Sequence, residues 1–216
     1  MTPALPYPPV PAPPPDDSPT LAALRAACAA FFTRFDPDLR AAAETLAAAG
    51  AYRLAPAGTC LLARGDVAGH FYYLHRGAVR NYLPGGRHGV TTWLSLDGTL
   101  VTAMASLSSG EPSQETVETL EDCELLAFAA TDLQRAYRDV PGTERLGRLV
   151  VEHYFRVMTR RLYDNAIMTA RDRYAQLLDT HPEIIARVPL GIIAGYLQMT
   201  PESLSRIRAQ LARGDA

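Results

Sequence analysis

The residues best suited to contact another molecule lie in the stretch QMTPESLSRIR, residues 198–208. Glu202 and Arg206 are four residues apart, so they share one face of a helix. Arg206 can fork onto the O6 and N7 atoms of a guanine, and Glu202 can accept a hydrogen bond from the N4 amino group of a cytosine. These residue types at this spacing indicate a helix that contacts base edges in a DNA groove.

Polar residues around this pair are placed to contact the DNA backbone. Thr200 can cap the helix, and Thr200, Ser203 and Arg208 can bond to phosphates, which position a protein without carrying sequence information. The alternative is that Glu202 and Arg206 form only a surface ion pair on a helix. We favour DNA contact, because a cap, a tight turn and a partner helix precede the pair.

The partner helix is predicted from apolar periodicity on both sides of residues 198–200. The small side chain of Ala194 allows two helices to approach closely at a steep angle, which is typical of a helix-turn-helix. The inward positions of the two helices are Ile193, Ala194, Leu197, Leu204, Ile207 and Leu211.

A long helix is predicted from about residue 143 to residue 168, and it carries two apolar stripes. The first stripe is Val151, Phe155, Met158 and Leu162, and the second is Leu146, Val150 and Val157. Two stripes imply two packing partners, of which one is the body of the chain. We assign the second stripe to a homodimer interface. The alternative is that both stripes pack inside one chain.

Residues 51–128 differ in character from the helical segments on either side. Short runs of β-branched and aromatic residues alternate with turn signals about 8–12 residues apart, which predicts an antiparallel sandwich or barrel. Residues 70–83 and 115–128 are each predicted to form a hairpin. Before this region, residues 20–50 predict two short helices, divided at Asp36-Pro37.

Composition and charge restrict the class of protein. The chain has 216 residues, 48 % of them hydrophobic, which is enough for one large domain or two smaller ones. No apolar run approaches the roughly 20 residues of a membrane span, and no secretory signal is apparent. Residues 1–19 are rich in proline and predict a disordered tail. The net charge is −5 over residues 1–141 and +3 over 142–216, consistent with a polyanion-binding element at the C-terminal end.

The cysteines indicate a reducing compartment. Cys28, Cys60 and Cys123 are far apart and odd in number, so we expect three free thiols in the cytoplasm and no metal cluster.

The order of these parts resembles the Crp/Fnr family of bacterial transcription regulators, the catabolite-activator type. The resemblance covers nearly everything after residue 20, and its most specific stretches are GTCLLARGDVAGHFYYLHRGAVRNYL (58–83) and IAGYLQMTPESLSRIR (193–208). It implies an α+β fold: an antiparallel β-roll (double-stranded β-helix or jelly-roll) flanked by helices over 20–140, a long dimerisation helix over 141–169, and a helix-turn-helix domain over 170–216.

The same resemblance implies the partners. These are double-stranded DNA with a pseudo-palindromic operator, a second copy of the chain, a small-molecule effector and RNA polymerase. It implies no membrane, no metal, no cofactor and no enzymatic activity.

The sensor half departs from members of the family that bind cyclic nucleotides. Those members hold the ribose with a glutamate after a glycine and the cyclic phosphate with an arginine. Here Thr99 follows Gly98, and Ser113 or Gln114 falls near the arginine position. We therefore expect no binding of cyclic AMP in the usual manner, because several carboxylates and no arginine lie between residues 99 and 124.

Another ligand could bind at the SSGEPS turn, residues 108–113, although this segment could equally be a solvated loop. The candidate effector pocket comprises Gly98, Thr99, Ser108, Ser109, Ser113 and Gln114.

The helix-turn-helix also departs from the family pattern. Gln198 replaces the usual turn glycine, so we expect it to adopt a left-handed backbone without the freedom of glycine. Pro201 stands where many relatives have a base-contacting arginine, and few residues follow for a β-hairpin wing.

Two other functions remain open from the sequence. One is an effector-binding or scaffold module whose helix-turn-helix no longer contacts DNA. The other is a β-barrel metal enzyme, which we consider less well supported because His70, His75 and His88 are isolated.

Overall fold

The computed structural model describes residues 19–85 and 89–213. Residues 1–18, where the proline-rich tail is predicted, lie outside the described residues, and Pro19 begins the first helix. The helices are α1 (Pro19–Thr33), α2 (Arg40–Ala48), α3 (Met104–Ser109), α4 (Ala130–Asp139), α5 (Thr143–Ile167), α6 (Ala170–Thr180), α7 (Pro182–Arg187), α8 (Leu190–Tyr196) and α9 (Pro201–Arg213), with a 3-10 turn at Pro37–Leu39. The strands are β1 (Ala51–Ala55), β2 (Cys60–Leu62), β3 (His70–Arg76), β4 (Ala78–Leu83), β5 (Val90–Leu96), β6 (Thr99–Val101), β7 (Thr116–Thr119) and β8 (Cys123–Ala129).

The strands form two antiparallel sheets of four strands each. Their orders are β1-β8-β3-β6 and β2-β7-β4-β5. An apolar core that includes Leu74, Val79, Val117 and Leu125 draws residues from both sheets. The predicted α+β class with an antiparallel β domain flanked by helices is therefore confirmed.

The two predicted hairpins are wrong. Strand β3 pairs with β6 and β8, whereas β4 pairs with β5 and β7, so the chain changes sheets at Gly77. The chain changes sheets again between β7 and β8. A period-2 pattern tells which residues face a core, but it does not tell which strand is the neighbour. The consecutive strands that do pair in this region are β4 and β5, which are antiparallel from Ala78↔Leu96 to Leu83↔Val90.

The N-terminal helices cover one sheet. The Asp36 carboxylate accepts a hydrogen bond from the Asp38 amide at 3.0 Å, so Asp36 divides the two helices as predicted. Both helices pack, through residues such as Leu24, Phe32 and Leu46, on side chains of β3 and β8.

The first half of α5 completes this same core, which corrects the predicted dimer interface. Leu146 is 0 % exposed and Val150 is 6 % exposed, and both belong to the cluster formed by α1, α2 and the sheet. Their assignment to an interface is wrong, because they pack inside their own chain. Val157, the third residue of that stripe, is 39 % exposed.

The other stripe of α5 is on the surface. Phe155 is 68 % exposed and Leu162 is 65 % exposed. Val151 and Met158 are exposed with them. This stripe, Val151, Phe155, Met158 and Leu162, is called the open stripe below.

Neither Thr131 nor Thr143 is the N-cap of its helix. Thr131 lies inside the first turn of α4, and the N-cap of that helix is Ala129. Gly142 caps α5, while the hydroxyl of Thr143 donates to the carbonyl oxygens of Ala136 and Val140 at 2.7 and 2.8 Å. Thr143 therefore ties α4 to α5.

Helices α6 to α9 form a small unit with its own apolar core. Tyr174 and Leu177 are buried in it, whereas Leu178 is 44 % exposed. The segment between Pro182 and Pro189 contains α7. Within the described ranges, none of the helices combines the length and apolar character needed to cross a bilayer.

Gly77 provides a test of the sheet change. Its φ is 120°, and a Cβ atom there would lie 2.5 Å from the Cys123 sulfur. We expect Gly77→Ala to lower the free energy of unfolding by about 2–4 kcal/mol, from backbone strain and from steric overlap.

Gly110 is the matched control, because its φ is 75° but a Cβ atom there would meet nothing within 4 Å. Gly110→Ala should cost about 1–2 kcal/mol from backbone strain alone. Urea unfolding of both variants measures the difference, and equal losses would contradict the packing argument.

Candidate functional site

The two last helices form a crossed pair around a tight turn. Ile193 of α8 and Leu204 of α9 are both 0 % exposed and pack in one core. The Met199 amide donates to the Ala194 carbonyl at 3.0 Å, which closes the turn. Gln198 has a φ of 55°, so the predicted left-handed backbone at this position is confirmed.

The start of α9 is organised by Thr200. The Ser203 amide donates to the Thr200 hydroxyl oxygen at 3.2 Å, so Thr200 caps the helix as predicted. Hydrogen bonds from its own backbone amide and from the Thr200 hydroxyl lower the pKa of Glu202. Glu202 is therefore an anionic hydrogen-bond acceptor at the mouth of the helix.

The outward face of α9 is exposed to solvent. Glu202, Ser205 and Arg206 are exposed. Arg206 forms neither a hydrogen bond nor an ion pair with any residue of the described ranges, so the alternative of a surface pair with Glu202 is not what the structure contains. Thr200 and Arg208 are also exposed, and Ser203 is half-buried.

Arg173 is a residue of this site that the sequence did not identify. From α6 its guanidinium donates to the Leu197 carbonyl at 3.1 and 3.2 Å and to the Met168 carbonyl at 2.7 Å. It thereby holds the turn before α9 against the end of α5. The sequence of α6 contains nothing that indicates these carbonyl partners, because an arginine in an amphipathic helix usually lies on the solvent-exposed face.

Helix α8 rests on strand β5 of the sensor. A Cβ atom at Gly195 would lie 3.3 Å from the Gly89 carbonyl oxygen and 3.4 Å from the Thr91 nitrogen, so the missing side chain permits the close approach. Leu94 of β5 lies in the apolar core of the helical unit. Helix α9 thus belongs to a unit that packs directly against the β domain.

The sensor contains a cavity of about 430 Å³ beside β2 and the loop that leads to β3. Its lining includes Cys60, Asp66, His70, Tyr72 and Thr102, and it includes neither arginine nor lysine. A bound phosphate requires a charge partner or a nest of amides. Among the described lining residues, His70 is the one side chain that can carry a positive charge.

The predicted effector pocket is not assembled by the fold. Gly98 lies in the turn between β5 and β6, where its amide donates to the Leu74 carbonyl at 2.7 Å. The Thr99 hydroxyl donates to the Leu96 carbonyl at 2.6 Å. Gly98 thus ties the turn to β3 and Thr99 closes it, and neither residue lines the 430 Å³ cavity.

The remaining predicted pocket residues bond within their own segment. The hydroxyl of Ser108 donates to the Ala105 carbonyl at 3.1 Å, and that of Ser109 accepts from the Glu111 amide at 3.1 Å. Ser113 is buried, and its hydroxyl donates to the Glu115 carbonyl at 2.8 Å. Gln114 is exposed. None of the four lines the cavity, so their assignment as one pocket with Gly98 and Thr99 is wrong.

The histidines do not assemble a metal site. His70 lines the cavity and His75 is half-buried in β3, while His88 lies outside the described residues. In the described part of the chain, no three or more His, Cys, Asp or Glu side chains are grouped to hold a metal ion. The three cysteines are free, and burial raises the pKa of each thiol.

Comparisons with known proteins agree with this architecture. Residues 52–139 match the family model described as the cyclic nucleotide-binding domain. No curated protein sequence matches the chain.

Several solved structures are similar to the chain. The c-di-GMP-responsive global regulator CLP of Xanthomonas campestris is 22 % identical, with 77 % of this chain and 88 % of that chain covered and a TM-score of 0.60. FixK2 of Bradyrhizobium japonicum is 21 % identical, with 76 % and 85 % covered and a TM-score of 0.58. A protein of Eubacterium rectale described as a Crp/Fnr-family transcriptional regulator is 16 % identical, with 81 % and 84 % covered and a TM-score of 0.63. At these identities the similarity establishes the fold.

The strained turn at residue 198 gives a prediction for this site. A left-handed backbone costs a non-glycine residue about 1–2 kcal/mol, and the extra freedom of glycine in the unfolded chain costs about 0.5–1 kcal/mol. We expect Gln198→Gly to raise the free energy of unfolding by about 0.5–1 kcal/mol. Gln198→Ala is the control, because it keeps the strain. Thermal unfolding of both variants measures the effect, and a Gly variant less stable than the Ala variant would refute the strain.

Proposed function

We propose that the chain is a homodimeric, DNA-binding transcription regulator of the Crp/Fnr type that acts on a pseudo-palindromic operator. The outward face of α9 carries this proposal. Leu204 and Ile207 fix the inner side of the helix in an apolar core, while Glu202 and Arg206 point their charges to solvent. An exposed guanidinium without a partner in the described residues is suited to a bidentate contact with guanine.

The polar residues of α9 divide into two roles in this proposal. Arg206 and Glu202 contact base edges in the major groove, and Thr200, Ser203 and Arg208 contact phosphates. The first turn of a helix also favours anions through its unpaired amides and its dipole. Pro201 lacks a donor, so the base preference rests on the residues that follow it.

The homodimer forms through the open stripe of α5 in this proposal. Burial of apolar surface stabilises by about 25 cal/mol per Å², and a two-fold axis alongside α5 covers the open stripe of each copy with that of the other. Such a dimer presents two recognition helices about 34 Å apart, one turn of DNA. Contacts with RNA polymerase, and action in the cytoplasm, belong to the same proposal.

The effector is not cyclic AMP held in the usual manner in this proposal. The lining of the 430 Å³ cavity contains Asp66, and its described residues include neither arginine nor lysine. The same chemistry argues against transferring the c-di-GMP response of CLP to this chain, because that ligand carries two phosphates. A small ligand without net negative charge fits the cavity better.

Arg206 and Arg208 together test the DNA contact. A selection from random 30-base-pair duplexes with the wild-type protein supplies the operator. We expect Arg206→Ala to lose about 1–3 kcal/mol per half-site and to lose discrimination at one base pair, as a base contact does. We expect Arg208→Ala to weaken binding to every sequence alike and to reduce the salt slope by about 1, as a phosphate contact does.

Fluorescence anisotropy against salt measures both effects. A wild-type protein that enriches no sequence and shows no salt dependence would instead support the module without DNA contact. Unchanged discrimination in Arg206→Ala would exclude this arginine as the base-contacting residue.

Phe155 tests the dimer. We expect Phe155→Glu to convert the dimer to a monomer, because it places a charge in the middle of the open stripe. Leu178→Glu is the matched control, since Leu178 is 44 % exposed on α6, outside the stripe. Sedimentation equilibrium measures both masses. A monomeric wild-type protein, or a variant that stays dimeric, would contradict this interface.

A further inference from the structure

Arg187 joins the helical unit to three turns of the sensor. At the end of α7, its guanidinium donates to the Asp97 carboxylate at 2.7 and 3.1 Å and to the Glu121 carboxylate at 2.6 and 3.2 Å. It also donates to the Gly77 carbonyl at 2.9 Å. These acceptors lie in the β3–β4, β5–β6 and β7–β8 turns. One side chain therefore contacts three turns at one end of the β domain.

Two of the three turns are also linked to each other without Arg187. The Gly77 amide donates to Asp97 Oδ1 at 2.6 Å, which links two of the turns. Burial alone would raise the pKa of Asp97, but hydrogen bonds from Arg187 and from the Gly77 amide outweigh it and lower that pKa. Hydrogen bonds to Glu121 and Asp97 raise the pKa of Arg187. A forked, charged contact of this kind is stronger than an isolated surface ion pair.

Arg161 makes a second connection on the other side of the docked unit. From α5 it donates to the Tyr196 carbonyl of α8 at 2.8 Å and to the Thr92 carbonyl of β5. Its guanidinium also lies 3.8 Å from the centre of the Tyr196 ring. Arg161 thus joins α5, β5 and α8, and burial lowers its pKa.

We propose that Arg187 and the carboxylates of Asp97 and Glu121 form a clamp that fixes the orientation of the helix-turn-helix unit on the sensor and so makes the chain competent to bind DNA. The inference deepens the proposed function and rests on it. The outward face of α9 is exposed while the clamp is closed, so the clamp does not hide the DNA-contact surface. Opening it removes a fixed orientation, and DNA binding should weaken.

The clamp also gives the sensor a route to the DNA-binding unit. The β7–β8 turn follows the strand that contains Val117, and Val117 lines the 430 Å³ cavity. A ligand that shifts β7 would shift the Glu121 carboxylate and change its distance from the Arg187 guanidinium. The contact can be closed or open, and a ligand that binds one of these two states more tightly shifts the equilibrium toward it.

Hydrogen exchange on the full chain, without DNA, tests the clamp itself. We expect Arg187→Ala to speed exchange about tenfold or more at amides of α8 and β5, because their protection depends on docking. Arg187→Lys should have an intermediate effect, since an ammonium cannot fork onto both carboxylates. Arg135→Ala is the matched control, because Arg135 forms an exposed pair with Asp132 on α4. Unchanged exchange in Arg187→Ala would overturn the clamp.

A charge exchange separates loss of the clamp from general misfolding. Arg187→Glu places three carboxylates together and should open the contact fully. The double variant Arg187→Glu/Asp97→Arg restores opposite charges at the same place, and we expect it to recover at least part of the protection. A double variant no better than Arg187→Glu, with an unchanged melting temperature for the β domain, would count against a charge-based clamp.

Measurements of DNA affinity test the second part of the proposal, the effect of the clamp on DNA binding. With the duplex selected by the wild-type protein, we expect Arg187→Ala to bind about tenfold more weakly or worse, because apparent affinity falls with the competent fraction. Base preference should stay the same, since Arg206 is untouched. Faster exchange with equal or tighter DNA binding would overturn the proposed role. A wild-type protein that selects no duplex would refute the regulator, while the exchange measurements would still decide the clamp.

Discussion

Each tight turn at one end of the β domain passes the chain from one sheet to the other. Strands β3, β6 and β8 belong to one sheet and β4, β5 and β7 to the other, so the β3–β4, β5–β6 and β7–β8 links all cross from sheet to sheet at the same end. Gly77, Asp97 and Glu121 meet there for that reason. This constraint turns three distant pieces of sequence into one acceptor site, and a single guanidinium from α7 can reach all of it.

Different faces and different turns of helix α5 contact different parts of the molecule. Its first half belongs to the sensor core through Leu146, and Tyr154 accepts a hydrogen bond from the Leu100 amide of β6 at 3.1 Å. Its last turns hold the helical unit through Arg161. The face opposite the core leaves Phe155 exposed. Because one helix carries both sets of contacts, a change at either of them alters the geometry between the β domain and α9.

The sequence allowed the local features to be predicted and left the long-range pairing undetermined. Ile193, Leu204 and the turn at Gln198 followed from helical periodicity and capping rules, which act within a few residues. The partners of Arg187 lie 66 and 90 residues earlier, and no local rule connects them. The pocket prediction failed for a related reason. Gly98 was assigned to the pocket from its position in the family pattern, whereas its amide donates a hydrogen bond to the Leu74 carbonyl of β3.

Several carboxylates between residues 111 and 124 have specific polar partners in the folded chain. Glu118 pairs with Arg80 at 2.8 Å, the Asn81 amide donates to Glu115 at 3.0 Å, and Glu121 pairs with Arg187. These groups hold strands and domains together, so the acidic strand is less repulsive to an anion than its composition indicates. Yet the cations that neutralise it are engaged by the same contacts, and none of them lines the cavity. A phosphate in the cavity could therefore gain Arg80 or Arg187 only by breaking a structural ion pair, and the loss of a partner for a half-buried carboxylate opposes that exchange.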